Sequence, residues 1–412
     1  MNQIKELLQM LRPRGTLKGV AALHSVDDVR RYARKRLPKM IYDFIYGGAN
    51  DETTLAANRN DFSKITFRPH MLTDVTHRDI KTKVAGIDLD FPVMVSPAGL
   101  LRVAHTEGEL AIARAAGKTG VVFVVSTAGS WSMEELADAA TGPLWFQLYL
   151  WRDRDIMKSL VERAKQAGYQ ALVVTVDLQV VGKRERDLRN GLSIPPKITM
   201  RSALDAVKHP RWLFDLIKGP PVTLRNFAGV VEGDGTVSHS AFFNQHLINP
   251  SANWEDLQWV RELWKGPLLI KGIITPEDAV KAVDCGVDGI VVSNHGGRQL
   301  DGVPSAVRSM VDIVDAVGNR TDIILDGGIR RGSDVVKAVA LGARAVMAGR
   351  SWIWGLAAAG QAGVERVYEI FAQEIDQTLA LLGRTRLNKI DESAVNLPAS
   401  WTTSRKENSK CQ

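Results

Sequence analysis

The sequence predicts an α/β fold in which eight parallel strands, each followed by a helix, close into a barrel. Three observations carry this. Short, continuously apolar runs recur along the chain, the pattern of strands buried on both faces. Stretches with apolar residues at mixed i+3/i+4 spacing separate them. Eight such units in about 260 residues match the size and rhythm of a TIM barrel. A doubly wound open sheet is the alternative, but no strand–GxGxxG–helix opens it.

The elements follow in order. Residues 1–90 are a preface, with a basic arm over 1–24 and one helix over Val26–Gly47 as an N-terminal extension. The strand runs are Val93–Ser96, Val122–Thr127, Trp145–Tyr149, Ala171–Asp177, Leu268–Ile273, Gly289–His295, Asp322–Asp326 and Ala345–Gly349. Helices are expected over Glu107–Lys118, Met133–Ala140, Asp153–Gln166, Glu255–Trp264, Pro276–Cys285, Ser305–Val317 and Ser333–Leu341. Thr275-Pro276-Glu277-Asp278 opens one of them with a cap, a proline and two acids at the positive end of the dipole. Gly168, Gly286, Gly318 and Gly342 stand where helices should stop. Residues 178–253, between the fourth and fifth strands, are too long for an ordinary βα loop. This insertion holds Pro195-Pro196, Pro220-Pro221, Trp212, Phe214, Phe227, Phe242 and Phe243, and reads as a lid or a membrane contact. The barrel unit runs over 25–390 and a tail over 391–412.

Composition bounds the function. Of 412 residues, 45% are hydrophobic and 24% charged, which excludes a disordered chain and a polytopic membrane protein. Two cysteines, Cys285 and Cys411, build neither a disulfide framework nor a zinc site, so a cytoplasmic location is expected. No signal peptide and no spanning run of apolar residues is read. The net charge of +7 is confined to residues 1–40, where 10 Lys/Arg face 3 Asp/Glu. The arm (Lys5, Arg12, Arg14, Lys18, then Arg30, Arg31, Arg34, Lys35, Arg36 and Lys39) reads as a solvated face or a contact with anionic lipid at the inner membrane face. The body carries no basic stripe, so no nucleic acid is expected.

In such a barrel, polar residues at strand C-termini face the active site. Here they are Ser126, then Gln147 and Tyr149, then Thr175 and Asp177, Lys271, Ser293 and His295, Asp326-Gly327-Gly328 and Gly349-Arg350. Each has a plainer role: a turn-forming serine, a structural histidine, a lysine that snorkels. That role must be invoked independently at seven successive strand ends. No metal site is expected, since the histidines are scattered without HxH or HExxH spacing. Asp326-Gly327-Gly328-Ile329-Arg330-Arg331-Gly332 ahead of a helix, joined to Gly349-Arg350, supplies backbone N–H groups and arginine forks for a phosphate.

The segment Ser293-Asn294-His295-Gly296-Gly297-Arg298-Gln299-Leu300-Asp301 resembles the active-site signature of the FMN-dependent α-hydroxy-acid oxidising enzymes. The resemblance spans about residues 25–390 and includes Leu37-Pro38-Lys39-Met40, Trp145-Phe146-Gln147-Leu148-Tyr149, Arg184-Glu185-Arg186-Asp187 and Ile270-Lys271-Gly272. It implies FMN as cofactor and a small 2-hydroxy acid, lactate-like first, as substrate. His295 would be the base, taking the α-proton or the hydroxyl proton, with Asp177 stabilising its imidazolium. Arg184 and Arg298 would hold the substrate carboxylate, and Tyr149 the reacting oxygen. Lys271 would offset charge on reduced flavin. Pro97, Ala98 and Gly99 would lie along the ring, and Ser126, Gln147, Thr175 and Ser293 would bond the ring or ribityl chain. Asp326, Gly327, Gly328, Arg330, Gly349 and Arg350 would take ribityl and phosphate. One position departs from the pattern. Phe44 stands where the family has a second carboxylate-binding tyrosine, so a larger or atypical acid stays open.

The resemblance further implies a homo-oligomer, a tetramer. Gly99 in Pro97-Ala98-Gly99-Leu100 points to a dehydrogenase whose electrons pass to a quinone or a protein acceptor. An oxidase making hydrogen peroxide, a non-redox FMN- or phosphate-binding isomerase, and a non-enzymatic membrane-surface or partner-binding protein are the alternatives.

Overall fold

A computed structural model describes residues 19–191, 199–228 and 249–401. Eight strands pair in parallel, each with its neighbour in sequence, and the last pairs with the first to close a barrel. They are β1 Val93–Val95, β2 Phe123–Ser126, β3 Leu144–Tyr149, β4 Ala171–Thr175, β5 Leu268–Ile273, β6 Gly289–Ser293, β7 Asp322–Asp326 and β8 Ala345–Ala348. All eight expected runs are present. Strand pairing stops one or two residues short of the expected end in five of them.

Side-chain alternation sets up two cores. Met94, Val124, Trp145, Val173, Leu269, Val291, Ile324 and Met347 point inward and fill the barrel, with Trp145 fully buried. Phe123, Val125, Phe146, Leu172, Ile270, Ile290, Val292 and Leu325 point outward against the helices. The hairpin Thr82–Val84/Ile87–Leu89 adds Val84 and Leu89 to the inner cluster.

The helices, in order, are α1 Val26–Arg36, α2 Lys39–Tyr46, α3 Thr53–Lys64, α4 Glu109–Thr119, α5 Met133–Ala139, α6 Arg154–Gln166, α7 Glu185–Arg189, α8 Met200–Val207, α9 Pro210–Lys218, α10 Trp254–Leu263, α11 Pro276–Asp284, α12 Ala306–Val317, α13 Gly332–Ala340 and α14 Arg350–Leu382. Asp153 and Ser305, expected as first residues, become caps, and Thr275 is the cap expected: all three accept from the N–H groups of the first turn.

Four expectations change. The single helix over Val26–Gly47 is two, because Pro38 holds Leu37 extended (φ −98°, ψ 140°) and ends α1. Gly318 ends α12 with a right-handed backbone (φ −63°), whereas Gly168, Gly286 and Gly342 are left-handed. Five helices lie outside the expected set: α3, the three helices α7, α8 and α9 of the insertion, and the long α14, which kinks at Ala359-Gly360. Residues 391–401 also join the body: Val395-Asn396 pairs with Thr66-Phe67, and Trp401 is buried.

In the insertion, Met200, Leu204 and Val207 of α8 and Phe214 and Ile217 of α9 are exposed. Trp212, expected to face a membrane, turns inward instead. Its indole N–H donates to the Val103 carbonyl at 2.8 Å. The arm over 1–18, Pro195-Pro196, Phe242-Phe243 and Cys411 lie outside the described residues.

Candidate active site

The polar ring follows from the barrel's own periodicity. Ser126, Gln147, Thr175, Lys271, Ser293 and Asp326 each stand two residues beyond an inner-core residue, so each side chain lies on top of the apolar filling. All six are at least nine-tenths buried. At the end of β5 a register shift between Lys271 and Ile273 interrupts the ladder. Gly272 there has φ +108°, and a Cβ on it would fall 2.7 Å from that of Asp177.

His295 Nδ1 lies 2.8 Å from Asp177 Oδ1. With Nδ1 held by a carboxylate, Nε2 is the nitrogen available to take a proton. Burial lowers the imidazole pKa despite the carboxylate that would raise it, so the ring rests neutral. Burial works to raise Asp177, but His295 and Lys271 bring it below the usual carboxylate value. Its Oδ2 is buried without a partner. His295 has φ +55°, a left-handed conformation that a non-glycine residue adopts at a cost. Gly296 and Gly297 continue the turn at φ +66° and +73°. A reciprocal amide pair fixes its start: Asn58 Nδ2 donates to Asn294 Oδ1 at 2.8 Å, and Asn294 Nδ2 to Asn58 Oδ1 at 2.9 Å.

Lys271, Ser293 and Asp326 form a closed triad. Lys271 Nζ is 3.0 Å from Asp326 Oδ2 and donates to Ser293 Oγ at 3.1 Å, and Ser293 donates to the same carboxylate at 2.9 Å. Burial opposes the ammonium charge, but Asp326 and Asp177 hold the Lys271 pKa above its ordinary value. Opposite them, Ser126 Oγ donates to Gln147 Oε1 at 3.2 Å. Gln147 Nε2 and Thr175 Oγ1 are buried without partners. Tyr149 meets Trp151 edge-on at 5.0 Å. Burial, then Asp177, pushes its hydroxyl up to about 12, so it stays a donor at neutral pH.

Four buried or half-buried arginines surround this ring, and none forms an ion pair with a carboxylate among the described residues. Arg298 donates to the carbonyls of Phe44 (2.7 Å) and Gly47 (3.0 Å), and its guanidinium lies 5.3 Å above the Phe44 ring. Phe44 thus supports the arginine in place of offering a hydroxyl. Arg184 makes one long contact, 3.5 Å to the Arg298 carbonyl. Arg350 donates to the carbonyls of Ile45 (2.9 Å), Gly296 (2.9 Å) and Gly47 (2.8 Å). Arg330 stacks on Trp354 at 4.7 Å and donates to the Ile329 carbonyl at 2.7 Å. Burial lowers all four, Arg330 to about 9 and Arg350 to about 10. Buried cations short of counter-charge call for an anion.

The glycines expected beside the phosphate differ in cause. Gly328 has φ +79°, and a Cβ there would fall 1.9 Å from the Asn58 carbonyl oxygen, so α3 dictates it. At Gly349, the cap residue of α14, a Cβ would meet nothing closer than Ser96 at 3.8 Å. The protein's own packing leaves that space open. Pro97, Ala98 and Gly99 follow β1 at the same mouth. A Cβ on Gly99 would lie 2.6 Å from the Ala128 oxygen.

Several contributors escaped sequence reasoning. Asn58 gives no local signal. Trp354 under Arg330 lies in the unexpected helix α14. Gln299 was visible inside the signature, but its work is long-range: its Nε2 donates to the carbonyls of Asp177 and Val180, both at 2.8 Å, and holds the β4 loop to the β6 loop.

A family model described as FMN-dependent dehydrogenase matches residues 33–397. An L-lactate dehydrogenase of Caulobacter sp. (strain K31) is 43% identical over 373 residues, covering 90% of this chain and 98% of the relative. The (S)-mandelate dehydrogenase of Pseudomonas putida is 42% identical over 361 residues, covering 88% and 91%. Among solved structures, one described as the monotopic membrane protein (S)-mandelate dehydrogenase superposes with a TM-score of 0.88 at 40% identity, covering 91% of this chain and all of that one.

Proposed function

The chain belongs to the FMN-dependent dehydrogenase family, and on that premise we propose that it oxidises an L-2-hydroxy acid, lactate-like as the first candidate, to the 2-keto acid. One observation carries the reading: a base–carboxylate pair flanked by arginines that lack carboxylate partners, Arg184 and Arg298 for a substrate carboxylate, Arg330 and Arg350 for a phosphate.

The residues fit FMN. Gln147 Nε2 and Thr175 Oγ1 supply polar atoms that the protein leaves unpartnered. Gly349 leaves room, and Arg330 supplies a buried guanidinium for the phosphate. Arg350 already commits its side chain to three carbonyls, so its role is to hold the cradle's walls as well as to add charge. When bound, FMN accepts the two electrons released from the substrate's α-carbon. Arg184 and Arg298 bind and orient the carboxylate, which sets the α-carbon's position. The Tyr149 hydroxyl keeps its proton and donates a hydrogen bond to the reacting oxygen. His295 Nε2 takes the α-proton, or the hydroxyl proton if hydride leaves directly, and Asp177 then balances the imidazolium. Lys271 holds a fixed positive charge at the cofactor's side of the ring.

The acceptor in this reading is a quinone or another protein. Gly99 supports it by leaving no methyl group between the β1 and β2 loops. The alternative, an oxidase, predicts rapid reoxidation by oxygen with stoichiometric peroxide. Stopped-flow reoxidation separates the two, and Gly99→Ala should change the ratio of oxygen to quinone reactivity.

No described helix is long and apolar enough to cross a membrane. The exposed apolar residues of α8 and α9, next to exposed Lys208, Arg211 and Lys218, support peripheral docking on an anionic inner membrane face. Sedimentation with anionic vesicles tests this, and a salt-independent lack of binding refutes it. A homo-tetramer completes the reading and is checked by light scattering.

The decisive experiment is anaerobic bleaching of the visible flavin spectrum by a panel of L-2-hydroxy acids. Bleaching by none of them would overturn the substrate class.

A further inference from the structure

The insertion has an inner end as well as an outer face. After α9 the chain returns to the barrel through Pro220-Pro221, whose carbonyls both accept from the Arg102 guanidinium, Pro221 at 2.8 Å. It then makes one 3₁₀ turn, Arg225–Phe227, and this turn is wedged against the loop that follows β2. The backbone N–H of Arg225 donates to the Gly129 carbonyl at 3.2 Å. Asn226 is fully buried and uses both ends of its amide. Its Nδ2 donates to the carbonyls of Thr127 (3.0 Å) and Ser126 (3.4 Å), and its Oδ1 accepts from the N–H of Met133, the first residue of α5, at 2.8 Å.

The peptide that Asn226 grips belongs to the cofactor wall. Ser126 Oγ and the Thr127 N–H both donate to Gln147 Oε1, at 3.2 and 3.3 Å, and Thr127 Oγ1 donates to the Gln147 carbonyl. Those contacts occupy the oxygen of the Gln147 amide and leave its buried Nε2 without a partner. The neighbouring Phe227 meets Trp151 edge-on at 6.0 Å, and Trp151 in turn meets Tyr149 at 5.0 Å. One tripeptide of the insertion therefore reaches both the polar wall and the tyrosine.

We propose that Asn226 is a positioning residue for the flavin: by holding the Ser126-Thr127 peptide it fixes which way the Gln147 amide presents its free N–H to the cofactor. A buried amide with both ends bonded in one geometry is a rigid support. The Asn226 side chain bonds to the β2 loop and to α5, whereas the route to Tyr149 runs through Phe227 and Trp151, so the two functions separate by residue. This inference rests on the FMN reading.

The test compares Asn226→Ala and Asn226→Asp with wild type and with Arg225→Ala. The last breaks only the outer ion pair from the same turn to Glu135, 2.9 Å long. The readouts are the visible flavin spectrum, the reduction potential and the FMN dissociation constant. Asn226→Asp keeps the acceptor for Met133 but loses the donor to Ser126 and Thr127. Both Asn226 variants should displace the flavin absorption maximum and the potential and weaken FMN binding by about tenfold, the scale of one lost buried hydrogen bond. KM for the hydroxy acid should change by less than about twofold, within the ordinary scatter of distant sites. Arg225→Ala should leave all flavin readouts in place. Wild-type spectrum, potential and affinity in Asn226→Asp, or equal shifts in Arg225→Ala, would overturn the proposal. So would failure of both Asn226 variants to fold, which assigns the residue to stability alone. Wild-type protein without flavin would overturn the cofactor reading and this inference together, whereas a flavin-loaded wild type with unaffected variants would overturn this inference alone.

Discussion

Along the ends of β4 to β7 the charges come in pairs: Asp177 with His295, Lys271 with Asp326. Around that row the side chains of Arg184, Arg298, Arg330 and Arg350 meet carbonyls, ring faces and, for Arg330, the Ser351 hydroxyl, with no carboxylate ion pair among the described residues. The paired row is electrostatically complete before any ligand arrives. The arginine rim is not, since burial lowers every one of its pKa values. A pair sets the chemistry of an atom, whereas an uncompensated cation sets the occupancy of a site.

The comparison breaks most visibly at the paired row. His295→Gln should retain FMN and slow flavin reduction by at least ~10²-fold, the low end for loss of a general base. Anaerobic stopped-flow measures it, and near-normal reduction would remove His295 from the mechanism. On the rim, Arg298→Met should damage substrate binding and turnover together, by roughly tenfold to a hundredfold, the range for a hydrogen bond to a charged group. If only KM rises, the arginine binds without orienting. The phosphate end should respond in occupancy. Arg330→Met should raise the FMN dissociation constant about tenfold with little change in melting temperature. Arg350→Ala should do the same and also lower the melting temperature, because three carbonyls lose their donor. Equal thermal effects in the two variants would erase the distinction between them.

The smallest effect is on pH. The His295 pKa lies below its ordinary 6.5, so the folded chain keeps the neutral base at a pH where the unfolded chain takes up a proton. That contribution to stability is complete above 6.5 and shrinks as the pH falls toward the folded pKa. The lowered Asp177 pKa adds a second loss, below the ordinary carboxylate value of 3.8. Flavin reduction should therefore stay level from about pH 8 down to about 7 and decline only below 6.5. A decline already complete at about pH 7 would mean that the carboxylate, not burial, governs the imidazole.

The barrel and its polar ring were legible because both obey a local rule. An apolar run marks a doubly buried strand, and counting by two carries that strand's inner face up to Ser126, Gln147, Thr175, Lys271, Ser293 and Asp326. What was illegible depends on contacts distant in sequence. Asn58 joins Asn294 across 236 residues, and Asn226 joins Thr127 across 99. Trp212 looks from sequence like any exposed aromatic of a lid, and only the Val103 carbonyl reveals that it is an anchor. The Pro38 break was written in the sequence, but the amphipathic pattern on both sides of it suggested one continuous helix.

The three bonds of Arg350 also bear on how the chain is made. Ile45 and Gly47 leave the ribosome 305 and 303 residues before the side chain that grips their carbonyls. At 5–20 residues per second, the first-made segment waits roughly 15–60 s for its partner. α1 and the stacked Tyr46 wait for α14 in the same way. Throughout that interval the amphipathic N-terminal helices have no fold to join. A nascent chain arrested before Arg350 should therefore expose them to protease or chaperone, and the emergence of α14, Arg350–Leu382, is the event that withdraws them.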